Sequence, residues 1–316
     1  MVALRRRVHC FVSAPFFSAR RYPGLVGDAG MASTLRAGQR KVRNDDDRGK
    51  GAISAQEGRD IEEMSAPRTP VIYKVVSKFG AEEMDRPAVS LWWSGVAAGL
   101  SISFSLLAQT ILMLRLPESS WSPLLGALGY AVGFVIVILS RQQLFTENTV
   151  TAVLPLLAKF TPRNLWRLSR LWAIVLLANM AGALVAALFF SFTPALDGEM
   201  QQAMLKISGQ ILNHGWLAMA VKGVAAGFLM AAMVWLLPGA EAAQFLVIVM
   251  MTWLIAAGGF MHIVAGSVEA FMLVLHGDVG WIAMLLDFGL PVLIGNIVGG
   301  TLLFALLAHA QVMQEI

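Results

Sequence analysis

Ser140-Arg141-Gln142-Gln143-Leu144-Phe145-Thr146-Glu147-Asn148-Thr149 interrupts an otherwise apolar run from Trp121 to Ala158. The run is too long for one ordinary membrane helix, which needs about 20 apolar residues to cross the hydrocarbon core. Its centre is too polar to face lipid. Charged or non-helical chain at that depth persists only where protein or a water-filled cavity surrounds it. The stretch therefore predicts a membrane helix broken near its middle, and a broken helix points to a substrate path.

The rest of the chain agrees with a membrane reading. It has 316 residues, of which 57% are hydrophobic and 14% charged, and its mean hydropathy is +0.67. A soluble domain would carry about a quarter charged residues. The lone Cys10 excludes an intramolecular disulfide and a cysteine-based metal site. The five histidines show no HxxxH or HExxH spacing, so no metal and no cofactor are expected. Sixteen of the 24 Lys and Arg residues and 11 of the 20 acids precede Ala88. The basic excess thus belongs mainly to one end, and no nucleic-acid partner is expected. There is no GxSxG, zinc-ligand spacing or nucleotide loop, so the chain is not read as an enzyme.

Residues 1–66 are rich in Arg, Asp, Gly and Ser and are expected to form a disordered cytoplasmic tail. Arg5-Arg6-Arg7 precedes a short apolar run broken by Ser13 and Pro15, which makes a poor secretory signal. A start at Met31 or Met64 is the competing reading. In segment 67–87, Thr69 reads as an N-cap followed by Pro70. Ile72, Val75, Val76 and Phe79 then share one face of a short amphipathic helix. That helix is expected to lie on the membrane surface or on the protein's own cytoplasmic face.

Six spans fill a channel domain over 88–312: roughly 89–114, 121–158, 171–191, 217–237, 242–275 and 281–309. The second and fifth are broken. The loop after the second span carries Lys159, Arg163, Arg167 and Arg170, whereas the loops of the opposite side carry only Arg115 and Lys206. The positive-inside rule makes the basic loop cytoplasmic, and with it both termini of a multi-pass inner (plasma) membrane protein.

The body also repeats. Gly95-Val96-Ala97-Ala98-Gly99 recurs as Gly223-Val224-Ala225-Ala226-Gly227, and Asn179-Met180-Ala181-Gly182 is echoed by Asn296-Ile297-Val298-Gly299. A broken segment lies between the members of each half, Ser140–Thr149 in one and Gly258–Ser267 in the other. Thr146 precedes Asn179 by 33 residues and His262 precedes Asn296 by 34. Three spans per half is an odd number, so the halves are inverted. Inverted halves with matching breaks put a conduction site near the midplane.

His262, between Gly258-Gly259 and Gly266, is the foremost site candidate, because an ionisable group at that depth is costly and faces the interior. A packed histidine bonded to a backbone carbonyl is the competing reading. Thr146 brings a hydroxyl towards the same centre, or caps the helix that restarts there. Arg141 and Glu147 are expected to pair and hold the loop. Asn179 and Asn296 are expected to bond across helices or to the breaks. Lys222, Glu269 and Asp287 are placed nearer span ends, where snorkelling is the default. Tyr130, Phe134 and Ile255 are either gates beside the centre or packing.

These residues resemble the formate/nitrite transporter family over about residues 67–312. The resemblance rests on Leu144-Phe145-Thr146, Gly259-Phe260-x-His262, and Leu290-Pro291-Val292-x-x-Gly295-Asn296-Ile297-x-Gly299-Gly300 taken in order. The longer run Arg141 to Asn148 is similar to its YfdC-like inner-membrane branch. The resemblance implies an all-α, aquaporin-like protomer of two inverted three-helix repeats, assembled as a homopentamer. It also implies passage of small monovalent anions such as formate or nitrite, often with a proton. Thr146 and His262 match residues that face each other between two apolar constrictions. Leu144 and Phe145, of the same motif, are constriction candidates as well, and Tyr130, Phe134 and Ile255 fall at constriction positions by spacing. Three departures alter the charge around the centre. Met261 stands where many members have an acid, Gly227 where many have asparagine, and Arg141-Gln142-Gln143 replaces the usual run before Leu-Phe-Thr. The expected function is a channel or transporter for weak-acid anions, proton-linked through His262. A neutral-solute channel, or a scaffold or sensor with a vestigial pore, are the alternatives.

Overall fold

Long runs of Leu, Ala, Val and Met with few charges satisfy their backbone groups within helices, the solution that hydrocarbon imposes. The computed structural model describes residues 67–316, and all their regular structure is helical. Helix α1 (Thr69–Asp85) precedes α2 (Ala88–Arg115) and α3 (Ser122–Leu139). Two short helices, α4 (Phe145–Thr151) and α5 (Val153–Ala158), complete the second crossing. Helix α6 (Pro162–Phe192) returns, and α7 (Gly198–Ser208) lies in the connection between halves. The second half comprises α8 (Trp216–Leu236), α9 (Gln244–Ala257), α10 (Ile263–His276) and α11 (Trp281–Val312).

Five helices, α2, α3, α6, α8 and α11, are long and apolar enough to cross a membrane. Between them α9 and α10 share one crossing split at Gly258–His262, as α3 and α4 share the crossing split at Ser140–Leu144. Both breaks end earlier than expected. The helices restart at Phe145 and Ile263, so Thr146 sits in a first helical turn and not in a loop or cap. The inverted halves are visible in the packing: α2 runs against α6 and α8 against α11, while α3 meets α9 and α10 meets α6 across the halves.

The paired glycines decide these contacts. A side chain on Gly99 would strike the Asn179 carbonyl and Gly182, and one on Gly227 would strike the Asn296 backbone. The small-residue faces are therefore consumed inside one protomer, where backbones touch.

Several local expectations are corrected. Helix α1 has Arg68, not Thr69, at its N-cap. Its buried face is Tyr73, Val76, Gly80 and Met84, while Phe79 is exposed. Gly80 lies against the Thr151–Ala152 backbone, so of the two settings expected for this helix it takes the one on the protein's own body. Helix α6 starts at Pro162, about two and a half turns before 171. Thr161 caps it by accepting from the Asn164 N–H, and Arg163, Arg167 and Arg170 lie on its first turns. Arg167 pairs with Asp85, which ties α6 to the end of α1. Residues 1–66, read as a disordered tail, lie outside the described residues.

Candidate functional site

Each break exposes backbone groups that no helix can satisfy, and one asparagine per half takes them up. Asn179 Oδ1 accepts the Phe145 N–H at 2.9 Å. Its Nδ2 donates to the Gly95 carbonyl at 2.8 Å and the Gln143 carbonyl at 2.9 Å. Asn296 repeats this pattern. It accepts the Ile263 N–H at 2.9 Å and donates to Gly223 at 2.9 Å and to Met261 at 2.8 Å. Both asparagines are fully buried. The clamps set the equivalence of the halves: Gln143 matches Met261, Leu144 matches His262 and Phe145 matches Ile263. The pairing of Thr146 with His262 by sequence spacing was two residues out of register.

Leu144 and His262 are the N-caps of their restarted helices, with nearly the same extended backbone (φ −108°, ψ 127° and φ −106°, ψ 124°). Leucine has nothing to cap with. Histidine does: its Nδ1 accepts the Ala265 N–H at 3.2 Å. In a neutral imidazole the proton then sits on Nε2. Nε2 lies 2.7 Å from Thr146 Oγ1, so the ring donates there and the threonine hydroxyl keeps its own hydrogen to give. Thr146 thus reaches His262 from the first turn of α4, while its equivalent in the other half is Val264.

The surround is apolar. Phe134 presents its ring edge-to-face to His262 at 5.0 Å, and Tyr130 lies 5.1 Å from Phe134. Phe134, Leu144, Ile255 and Thr146 are wholly buried and His262 is 2% exposed. Phe145 turns elsewhere, packing against Trp172 at 5.7 Å. A cavity of about 370 Å³ leads from His262 and Tyr130 towards Gln210 and His214, in the connection between the halves.

Two charged residues expected to snorkel at span ends do otherwise. Lys222 Nζ donates to the Gly259 carbonyl at 3.0 Å, and its own carbonyl accepts the Met261 N–H at 3.3 Å. Gly259 has φ +60°, a conformation that favours glycine. Glu269 lines the same cavity as His262. The expected Arg141–Glu147 ion pair is not formed. Arg141, at φ 55°, holds its guanidinium 5.8 Å from the Phe79 ring of α1.

The sequence reading missed the polar network on the other side of the first break. Gln143 is buried, its Nε2 donates to Glu83 of α1 at 2.6 Å, and its Oε1 accepts from Asn148 at 3.2 Å. Arg86 closes on the same Glu83 carboxylate at 3.0 Å. The signal was present: Glu83 stands seven residues after Val76, on the buried stripe of α1. Nearby, Tyr73 hydroxyl contacts His309 Nδ1 at 2.7 Å and the Leu154 carbonyl at 3.3 Å. Burial raises the Tyr73 phenol above its ordinary value, which keeps it a hydrogen-bond donor.

Comparison with known proteins places this geometry. A model of the family described as formate/nitrite transporter matches residues 70–310. The chain is 45% identical over 257 residues to inner membrane protein YfdC of Escherichia coli (strain K12), covering 81% of this chain and 83% of that protein. It is 24% identical over 243 residues to formate channel FocA of Haemophilus influenzae, covering 69% and 84%. The solved structure of a pentameric formate channel with formate bound shares the fold. It has a TM-score of 0.63 and 21% identity over 72% of this chain and 98% of that one. Two inverted helix triplets, two clamped breaks and a matching model over nearly the whole described body lead to one conclusion: this chain, a multi-pass membrane protein, belongs to the formate/nitrite transporter family.

Proposed function

We propose that residues 88–312 form a pore for small monovalent anions of weak acids, proton-linked through His262 and Thr146. The observation that carries this reading is the 2.7 Å bond between Thr146 Oγ1 and His262 Nε2, closed in by Phe134 and Ile255. A bare anion meets a large desolvation cost in such surroundings. Here it finds a hydroxyl and an imidazole N–H, both able to donate. An anion beside the ring favours the charged imidazole. Charging requires Nδ1 to take a proton from solution and release the Ala265 N–H. The Nε2 proton then passes to the anion, which leaves as the neutral acid, and the ring is left neutral with its proton on Nδ1; release of that proton to solution and uptake of one at Nε2 restore the bond from the Ala265 N–H. Tyr130, Phe134, Ile255 and Leu144 act as the apolar constrictions, and the asparagine clamps hold both breaks open. Formate is the natural first probe, because a relative and a structural neighbour are named as formate channels. By the same likeness the working unit is a homopentamer, seated in the inner membrane with both termini cytoplasmic.

The test is flux in proteoliposomes against a panel of weak-acid anions at two pH values. His262→Phe abolishes proton-coupled uptake while the protein stays folded, and His262→Asn leaves a pH-insensitive leak. Thr146→Val impairs the same step, so the double variant is little worse than His262→Phe alone. Wild-type rate and pH dependence in His262→Phe would refute the mechanism.

A further inference from the structure

Glu269 lies seven residues beyond His262 on α10, which puts it on the same helix face and about 10 Å further along the axis. Both residues line the cavity of about 370 Å³. Among the described residues the Glu269 carboxyl has no hydrogen-bond or ion-pair partner; Glu147 at the other break shares that state but does not line this cavity. Lys222 is held by Gly259, Glu83 by Gln143 and Arg86, and Arg141 is exposed over Phe79. No Lys or Arg lines this cavity. The other titratable groups that face it are His262 at its base, Tyr130 of α3 and His214 of the connection. Asp278 and Asp287 border the adjoining outer space with His214, and Lys206 of α7 is exposed. A single unpaired carboxyl therefore stands in the path of an anion moving towards His262.

We propose that Glu269 is a specificity-determining residue of this vestibule: ionised, it turns anions away, and protonated, it admits them. The proposal rests on the anion-pore reading and deepens it by naming the group that sets when the anion enters. Two unit charges about 10 Å apart near a protein surface change local anion concentration by roughly tenfold. Protonation from the bathing solution removes that repulsion, and the neutral carboxyl then offers a hydrogen to the passing anion. Entry from the side of the α7–α8 connection is thereby favoured at low pH on that side, by a group distinct from the histidine.

The experiment uses the full chain in proteoliposomes, formate as the probe, and outer pH stepped from 5 to 8. Glu269→Gln raises formate flux at pH 8 by roughly tenfold and flattens its dependence on outer pH, while Glu269→Asp keeps the wild-type profile. A wild-type profile in Glu269→Gln overturns the proposal. Absence of flux for formate and for every other weak-acid anion of the panel, in wild type and variant alike, overturns the anion-pore reading instead. The carboxyl is then judged by infrared difference spectra of the purified protein between pH 5 and 8. A carboxyl stretch that titrates in wild type and is missing from Glu269→Gln upholds a proton-exchanging vestibule, and identical spectra overturn it.

Discussion

At the scale of the residue, this protein solves one problem twice with the same side chain. Breaking a helix inside a membrane strands an N–H and several carbonyls, and each unsatisfied group costs about 1–3 kcal/mol. Asn179 and Asn296 each supply one acceptor and two donors in matched geometry. Aspartate would lack the donors and leucine would lack both. Asn179→Leu and Asn296→Leu are each expected to lower stability by about 2 kcal/mol or more. The drop should be similar for the two, as read by thermal unfolding in detergent. No drop in either would mean that the breaks are held by something else. His262, unlike its counterpart Leu144, has a side chain that caps its own helix, and that cap fixes which nitrogen faces Thr146.

At the scale of the element, the docking of α1 depends on Gly80. A Cβ there would overlap the Thr151 carbonyl, a backbone atom that cannot move without shifting α4. Gly80→Val is expected to release α1 from the body. Trypsin cleavage at exposed Lys74 and Lys78 should then rise well above the wild-type rate, and unchanged cleavage would show that the helix holds by its other contacts. The same element meets the break through Glu83 and Gln143, so its release also removes a hydrogen-bond partner from the residue before Leu144. Helix α11 carries two π-helical stretches, Met284–Gly289 and Val298–Ala305. The first ends two residues before Pro291, whose missing N–H interrupts the ordinary ladder. In the second, Thr301 donates to the Thr149 carbonyl of α4 at 2.7 Å, joining the two halves.

At the scale of the whole molecule, the odd number of crossings per half is the feature from which inversion follows. Cysteines introduced at Ser120 and Asp278 are expected to react with an impermeant thiol reagent from outside, and one at Phe160 is not. Asp278 serves better than its neighbour Gly277, whose φ of 84° resists a side chain. Outside labelling of Phe160→Cys would sink the inverted arrangement. A pentamer of this chain would need faces other than the glycine stripes, because those stripes are filled within the protomer. Exposed Trp92, Trp93, Phe104 and Leu217 leave apolar surface for lipid or neighbouring copies. Native mass in detergent is expected to equal five chains, and a monomer or trimer would refute that assembly.

Much of this was legible in the sequence, and for a physical reason. Hydrocarbon allows only long apolar helices, so crossings, breaks and inversion follow from where polar residues interrupt apolar runs. His262, Thr146, Asn179 and Asn296 stood out because polar side chains at that depth are rare. What the chain alone did not determine was register and partnership. Thr146 and Leu144 are two residues apart, and only the hydrogen bonds of Asn179 and Asn296 show that Leu144 is the counterpart of His262. Arg141 had Glu147 nearby in sequence, but its left-handed backbone turns it onto Phe79. Glu269 and Lys222 looked like span-end charges because sequence distance measures depth only roughly across a broken helix. The tertiary structure decided that one lines the cavity and the other holds the break, since only packed neighbours determine which way a side chain faces.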